Sequence, residues 1–220
     1  RRHARRLRLP VTAPVRRRDA LLKRSLDLVV AIPGLLLATP LILLAWAAAT
    51  VDTGRNGFFL QTRIGRHGRP FRVVKLRTMC PSASSSTVTT SGDPRITRLG
   101  RILRRSKLDE LPQLYNVLVG DMSLVGPRPD VPGFADRLAG DDRIVLTVRP
   151  GITGPATLKY RNEEALLAVQ TDPERFNREV LWPDKVRLNR AYVLHYRFRD
   201  DLVLLWRTVR GGAAPESRRA

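Results

Sequence analysis

The stretch Leu28-Val29-Val30-Ala31-Ile32-Pro33-Gly34-Leu35-Leu36-Leu37-Ala38-Thr39-Pro40-Leu41-Ile42-Leu43-Leu44-Ala45-Trp46-Ala47-Ala48-Ala49-Thr50-Val51 runs twenty-four residues without a charged side chain. At ~1.5 Å of rise per residue, a helix of this length reaches across a hydrocarbon core. Its flanks complicate that reading: residues 1–24 carry ten Arg and Lys, and residues 55–77 carry seven more. A spanning segment ordinarily leaves one end poor in cations. Here both ends have cytoplasmic character. Pro33 and Pro40 each remove an amide donor and disrupt the preceding turn, and a spacing of seven puts them near one helical face, so their bends add. The Thr39 hydroxyl, beside Pro40, is placed to bond a carbonyl freed by the kink. The flanks and prolines predict a re-entrant helix that dips into one leaflet and returns. Length alone leaves a spanning helix as the alternative. An apolar character on every face speaks against the core helix of a soluble protein. The length of the run and its distance from the start speak against a cleaved signal peptide.

Outside this run the chain is strongly basic, with 40 Lys and Arg against 20 Asp and Glu, a net charge of +20 over 220 residues. That length suits one domain with a real core, and the charge demands an anionic partner: nucleic acid, an anionic membrane or a phosphorylated substrate. No nucleic-acid motif or aromatic stacking platform is recognisable, which argues against the first. Cys80 stands alone and there are only three His. A disulfide framework, a Cys-based zinc site and a His-rich metal site are thereby excluded. A chain that begins at Arg1 rather than Met reads as a truncated or processed product.

Four segments follow from these patterns: residues 1–19 as a basic, disordered arm, 20–51 as the membrane helix, 52–211 as a catalytic domain at the cytoplasmic face, and 212–220 as a tail. Within the domain, Phe58 to Ile64 and Phe71 to Met79 read as strands of a small hairpin joined through Gly65 to Pro70. Period two places Phe71, Val73, Lys75 and Arg77 on one face of the second strand; the two cations suit a phosphate site or, equally, a solvated basic face. Residues 81–93 are rich in Ser and Thr and read as a mobile loop. Arg95 to Arg105 reads as an amphipathic helix, with Ile96, Leu99, Ile102 and Leu103 on one side and Arg98, Arg101 and Arg105 on another. That pattern fits a helix lying on an anionic bilayer or one packed on the core. The turn-rich Val148 to Pro155 offers amides for an anion. Helices are expected at about Pro183 to Tyr196 and Asp200 to Val209, the latter with the Trp206, Leu and Arg mixture of a bilayer interface.

The chemistry concentrates at Ser106-Lys107-Leu108-Asp109-Glu110-Leu111-Pro112-Gln113. Two adjacent carboxylates open a helix among Arg104, Arg105, Lys107 and, further on, Arg128. Either Ser106 caps the helix with Asp109 three residues later, or Asp109 caps it and Pro112 falls in the first turn. In both registers the carboxylates meet the positive helix terminus, which lowers a carboxylate pKa and attracts phosphate. An Asp-Glu pair at a helix start is more often a cap than a catalytic group. The combination with a kinked apolar segment is the diagnostic feature, because joining a water-soluble phosphosugar to a lipid phosphate needs a site at the membrane face.

Together these motifs resemble the bacterial sugar transferases of the monotopic phosphoglycosyl transferase family, which start glycan assembly on polyprenol phosphate. The resemblance runs from about Lys23 to Gly211. It is carried by Lys23-Arg24-Ser25-Leu26-Asp27-Leu28, Thr39-Pro40, Lys75-Leu76-Arg77-Thr78-Met79, Leu108-Asp109-Glu110-Leu111-Pro112-Gln113-Leu114, Gly120-Asp121-Met122-Ser123, Val125-Gly126-Pro127-Arg128-Pro129 and Arg149-Pro150-Gly151-Ile152-Thr153-Gly154. It implies an α/β, predominantly helical monotopic protein with a helix bent at Thr39-Pro40, interfacial amphipathic helices and a small β-hairpin. It implies attack by Asp109 on the β-phosphorus of a UDP-sugar, release of UMP, a covalent Asp-phosphosugar, and transfer to polyprenol phosphate, with Glu110 as base or positioning group. Mg²⁺ is the implied cofactor, with Asp109 and Glu110 as its ligands. Lys75, Arg77, Arg104 and Arg128 match the family's basic positions, and Arg149, Arg161 and Asn162 are further candidate substrate contacts. Where many relatives read Trp-Ala-Gln-Val-Asn-Gly-Arg after the glycine, this chain has Pro155-Ala156-Thr157-Leu158-Lys159-Tyr160-Arg161, so the sugar is not assigned by the motif. The expected setting is the bacterial inner membrane, with anionic inner-membrane lipid around the site, no nucleic-acid partner, and a homodimer compatible with the sequence.

Overall fold

A computed structural model describes residues 15–80 and 89–211. The expected arm before residue 15, the heart of the Ser/Thr-rich loop and the tail from residue 212 lie outside the described residues. The architecture is mostly helical, with a small two-stranded antiparallel sheet and one long apolar N-terminal helix. That helix, α1, runs Arg17–Thr53 as one element through both Pro33 and Pro40, and closes on Gly54 in the left-handed region at φ 64°. It starts inside the segment read as a basic arm. The hydroxyl of Thr39 donates to Leu35 O at 2.6 Å. This is its own preceding turn, one residue before the Leu36 carbonyl that Pro40 leaves without a donor.

The burial of α1 follows a single stripe: Asp27, Ala31, Ile42, Ala45, Ala49 and Thr53 are buried, with Leu35 and Ala38 packed partly between them. Spacings of three and four keep this stripe on one helix face. The other faces expose Val29, Leu36, Leu37, Leu44 and Val51. The stripe meets two parts of the domain. Ala31 joins Val73, Val117, Met122, Leu124, Val125, Leu158 and Leu204 in one cluster. Ile42 and Ala45 join Leu76 and Leu103 in another. From Ala31 to Ala45 the helix is thus held to the domain over ~21 Å. Each fully buried Val or Leu in these clusters contributes ~1.5–3 kcal/mol.

Strands β1 (Phe58–Ile64) and β2 (Pro70–Leu76) form the expected hairpin, with Phe58 opposite Leu76 and Ile64 opposite Pro70. The second strand ends at Leu76, three residues early, and Met79 makes only an isolated bridge to Ile96. Helix α2 (Arg98–Ser106) is capped by Thr97, whose side chain accepts from Gly100 N at 2.8 Å. Leu103 faces the core, while Ile102 is exposed together with the arginines Arg98, Arg101 and Arg105. Helix α3 (Gln113–Val119) follows. Asn116 pins it to the hairpin, accepting from Val74 N at 3.0 Å and donating to Arg72 O at 2.8 Å.

The turn-rich segment before Pro155 is not an open nest of amides. Strand β4 (Gly151–Thr153) pairs in parallel with β3 (Ser123–Val125), and Gly151 N donates to Pro127 O at 2.8 Å. The backbones approach so closely that a Cβ at Gly151 would lie 2.1 Å from Gly126 N. Short helices α4 (Pro155–Lys159), α5 (Glu163–Ala168) and α6 (Pro173–Phe176) lead through a π turn at Asn177–Leu181 into α7 (Trp182–Leu194) and α8 (Phe198–Arg210). The last two lie within a residue or two of their expected places. Asp201 on α8 accepts from Lys23 Nζ at 2.6 Å, and Lys23 also donates to Val125 O at 2.7 Å. Asp27 accepts from Leu124 N at 2.9 Å and Ser123 Oγ at 3.0 Å. The start of α1 is therefore riveted to the domain by buried polar bonds.

Candidate active site

Helix α2 stops at Lys107, which takes the left-handed conformation at φ 59°. The chain then makes a single 3-10 turn, Leu108–Glu110, before Pro112 opens α3. Neither expected capping register forms. The Ser106 hydroxyl turns back to Ile102 O at 2.8 Å and Leu103 O at 3.1 Å, and α3 has no side-chain cap. The tighter turn has a chemical consequence. Successive residues of a 3-10 helix point about 120° apart, so the two neighbouring carboxylates enter different surroundings.

Glu110 is enclosed by cations. Its Oε1 accepts from Arg128 Nη2 at 2.5 Å and from Lys75 Nζ at 3.0 Å, and its Oε2 from Arg128 Nη1 at 3.4 Å. Burial pushes this carboxyl up, but the charges and hydrogen bonds of Arg128 and Lys75 together hold it well below the ordinary 4.5. Asp109 is buried at 9% exposure, and its Oδ1 has no partner. Burial, with the Glu110 charge added, pushes its carboxyl above the usual range, although Lys75, Arg104 and Lys107 pull the other way. One carboxylate is held by two cations; its neighbour is left short of hydrogen bonds.

The surrounding cations are tuned by the same burial. The Lys75 ammonium is pushed down to about 8 by burial, with Glu110 opposing and Arg128 and Arg63 adding to the fall. Glu110 beside it holds the Arg128 guanidinium above its ordinary range. Arg104 donates to Thr78 Oγ1 at 3.2 Å, pairs with Glu164 and acts on Asp109.

Four of the expected contacts are not bonded to the dyad among the described residues. Arg77 lies past the end of β2, donates to Asn56 O at 2.8 Å and stacks on Phe59 at 5.4 Å. Arg149 donates to Gly120 O at 2.8 Å, and the charges acting on it are Arg24, Arg66 and Asp27 rather than the dyad. Arg161 reaches Thr208 O at 3.4 Å at the end of α8. Asn162 precedes α5 without making a side-chain cap.

Sequence reasoning missed a second tier of charge. Arg63 holds Gln61 and donates to Pro129 O at 3.0 Å. Asp130, two residues beyond Arg128, is pushed up to about 6 by burial against Lys185, Arg63 and Arg128. Glu163 pairs with Lys185 at 2.6 Å and acts on Arg128. The one available signal was the Glu163-Glu164 pair that opens α5.

Among the described residues no cluster of three or more His, Cys, Asp or Glu is placed to hold a metal. The dyad oxygens with unmet bonding capacity are the buried Asp109 Oδ1 and, facing only one long bond, Glu110 Oε2. That is a poor cage for a calcium-like ion. It suits magnesium, which takes one or two carboxylates and completes its shell with substrate phosphates and water.

An orphaned carboxylate thus lies among cations in a domain packed against one face of a long apolar helix. The chain matches the family described as bacterial sugar transferase over residues 18–214, and it belongs to that family. It is 32% identical over 196 residues to the UDP-N-acetylgalactosamine-undecaprenyl-phosphate N-acetylgalactosaminephosphotransferase of Aeromonas hydrophila, an alignment covering 87% of this chain and 43% of that one. It is 44% identical over 142 residues to the UDP-glucose:undecaprenyl-phosphate glucose-1-phosphate transferase of Caulobacter vibrioides, covering 62% and 53%. With the exopolysaccharide production protein ExoY of Rhizobium meliloti it shares 32% over 215 residues, 90% of this chain and 88% of the relative. The chain spans less than half the length of the Aeromonas relative and nearly all of the Rhizobium one.

Proposed function

We propose that the protein transfers a sugar-1-phosphate from a UDP-sugar to undecaprenyl phosphate, releasing UMP, and so starts assembly of an exopolysaccharide or related glycan. The observation that carries this reading is the asymmetry of the dyad: Glu110 is locked between Arg128 and Lys75, while Asp109 Oδ1 has no partner. In the first half-reaction an Asp109 oxygen attacks the sugar-bearing β-phosphorus, the bond from that phosphorus to the bridging oxygen breaks, and UMP leaves with the electron pair. In the second, an oxygen of the lipid phosphate attacks the same phosphorus and Asp109 is released. A carboxylate approaching a diphosphate meets strong repulsion. Lys75, Arg104 and Arg128 offset it, at a cost of ~10²–10³ in rate for each such group removed. Magnesium held by Asp109 and Glu110 would neutralise further phosphate charge. Glu110, kept ionised, positions Lys75 and Arg128 rather than accepting a proton.

The same reading extends to the membrane. A helix clamped to one domain from Asp27 to Ala45 does not readily deliver its ends to opposite sides of a bilayer, whereas its exposed Leu36, Leu37 and Leu44 need an apolar surrounding. Immersion of α1 in one leaflet of the inner membrane, with the dyad at the cytoplasmic face, satisfies both and agrees with two basic flanks. Offering a panel of UDP-sugars with undecaprenyl phosphate to the protein in nanodiscs, and measuring UMP, tests the activity. Release with at least one sugar, dependent on magnesium, is expected; none with any sugar refutes it.

A further inference from the structure

The arginines that miss the dyad form a cluster of their own. We propose that Arg24, Arg66 and Arg149 make a second, non-catalytic anion site that holds the headgroup phosphate of a membrane phospholipid. They come from three segments: α1, the 3-10 turn Arg66–Gly68 of the hairpin, and the loop before β4. Every hydrogen bond they make goes to a neutral carbonyl. Arg24 donates to Val117 O at 2.7 Å and Leu118 O at 2.9 Å, Arg149 Nε to Gly120 O at 2.8 Å, and Arg66 Nε to Thr147 O at 2.9 Å. None of the three forms an ion pair with a carboxylate among the described residues. The terminal Nη groups of Arg66 and Arg149 have no partner there.

The guanidinium groups of Arg24 and Arg149 meet over Gly120, which closes α3 in the left-handed region at φ 93°. A Cβ on that glycine would lie 3.6 Å from Arg24 Nη2 and 3.9 Å from Arg149 Nη2. Burial and the like charges of Arg24 and Arg66 push the Arg149 guanidinium down, and the one opposing charge is Asp27. Asp27 is engaged by Ser123 and Leu124 through Oδ1 alone, its buried Oδ2 having no partner among the described residues, and it forms no ion pair with the cluster. Three cations that share one opposing charge, Asp27, repel one another, and a phosphate among them removes that repulsion while accepting charge-assisted hydrogen bonds.

Depth selects a lipid as the source of that phosphate. Arg24 stands about one helical turn before the uncharged run opens at Leu28. Leu21, Val29 and Val30 on α1, the helix that carries Arg24, and Tyr115 and Val119 on α3, whose last carbonyls Arg24 holds, are exposed. Cations at the rim of exposed apolar surface lie at headgroup level. The reacting phosphates are served by other groups: the cations acting most strongly on Asp109 are Lys75, Arg104 and Lys107, and the bonds of Arg24, Arg66 and Arg149 all go to carbonyls away from the dyad.

The test is native mass spectrometry of the full chain reconstituted with phosphatidylglycerol and then released in mild detergent. Wild type is expected to retain one phospholipid. The double variant Arg66→Gln/Arg149→Gln should lose roughly tenfold or more of that occupancy. Arg98→Gln/Arg101→Gln on exposed α2, which removes the same charge, should retain it. The single variant Arg66→Gln, at an exposed position, should lose occupancy partially and answers the question if the double variant misfolds. Equal retention by the cluster variants, or equal loss in the α2 control, overturns the site. Displacement of the lipid by millimolar inorganic phosphate overturns its assignment to a headgroup.

Discussion

Asp201 and Asp109 are both buried, at 1% and 9% exposure, yet the protein treats them in opposite ways. Asp201 accepts from Lys23 at 2.6 Å, Tyr192 at 2.6 Å and Tyr196 at 2.8 Å, tying α1, α7 and α8 into one body. Asp109 leaves a buried oxygen without a partner beside a fixed and ionised neighbour. A buried carboxylate with both oxygens bonded works as a rivet. One that is left short of hydrogen bonds carries a cost that a ligand or a reaction can recover. The contrast sets Asp201, which holds the fold, against Asp109, which the proposed chemistry uses.

Exchanging the two roles by mutation should give opposite phenotypes. Asp109→Asn is expected to lower UMP release by more than about a thousand-fold, as removal of a nucleophile does, while melting no earlier than wild type. The sign follows from its raised pKa: the cost of holding the charged form is absent below the unfolded value of 3.8 and fully present above the folded one, so at neutral pH the neutral amide relieves it. Early melting with normal turnover would make Asp109 a structural residue. Asp201→Ala should do the reverse. It leaves Lys23 buried without its partner, a loss of ~3–5 kcal/mol, measurable as a lower denaturant midpoint with turnover per folded molecule retained.

Two smaller effects sharpen the comparison from the cation side. Arg128→Ala should reduce turnover by ~10²–10³, because it removes both a phosphate-facing charge and the bidentate partner of Glu110; wild-type kinetics would remove it from the site. The smallest effect is in the pH profile. Lys75 loses its proton above about 8, so turnover should fall above that pH by no more than about tenfold per unit. Lys75→Arg should move this limb to higher pH. The stability contribution of Lys75 has the opposite sense: the cost of burying its charge is present below about 8 and gone above its ordinary 10.5. A limb that stays near 8 in the arginine variant belongs to another group.

The helices, the hairpin and the dyad were legible because local signals encode them: an uncharged run, alternation across β1 and β2, and periodic apolar residues in α7 and α8. What local pattern left open shares a cause. Asp109 and Glu110 were read against a helical cap, but Lys107 adopts the left-handed conformation and tightens the following turn, a choice set by how α2 and α3 pack. Arg77, Arg149 and Arg161 carry the right charge for phosphate, yet sequence cannot say which backbone carbonyl a guanidinium will find 19, 29 or 47 residues away. Arg63, Asp130 and Glu163 enter the site only through tertiary proximity. The partner that distinguishes Glu110 from Asp109 lies at Arg128, beyond α3, and no local pattern joins them.

Intact-mass analysis of the lipid-embedded protein, given UDP-sugar and magnesium but no acceptor lipid, tests the central claim most directly. The account predicts one UMP released per protein and a phosphosugar adduct mapping to Asp109, discharged when undecaprenyl phosphate is added. UMP that appears only with the acceptor present, from a protein that never gains mass, would show direct displacement and contradict a covalent role for Asp109.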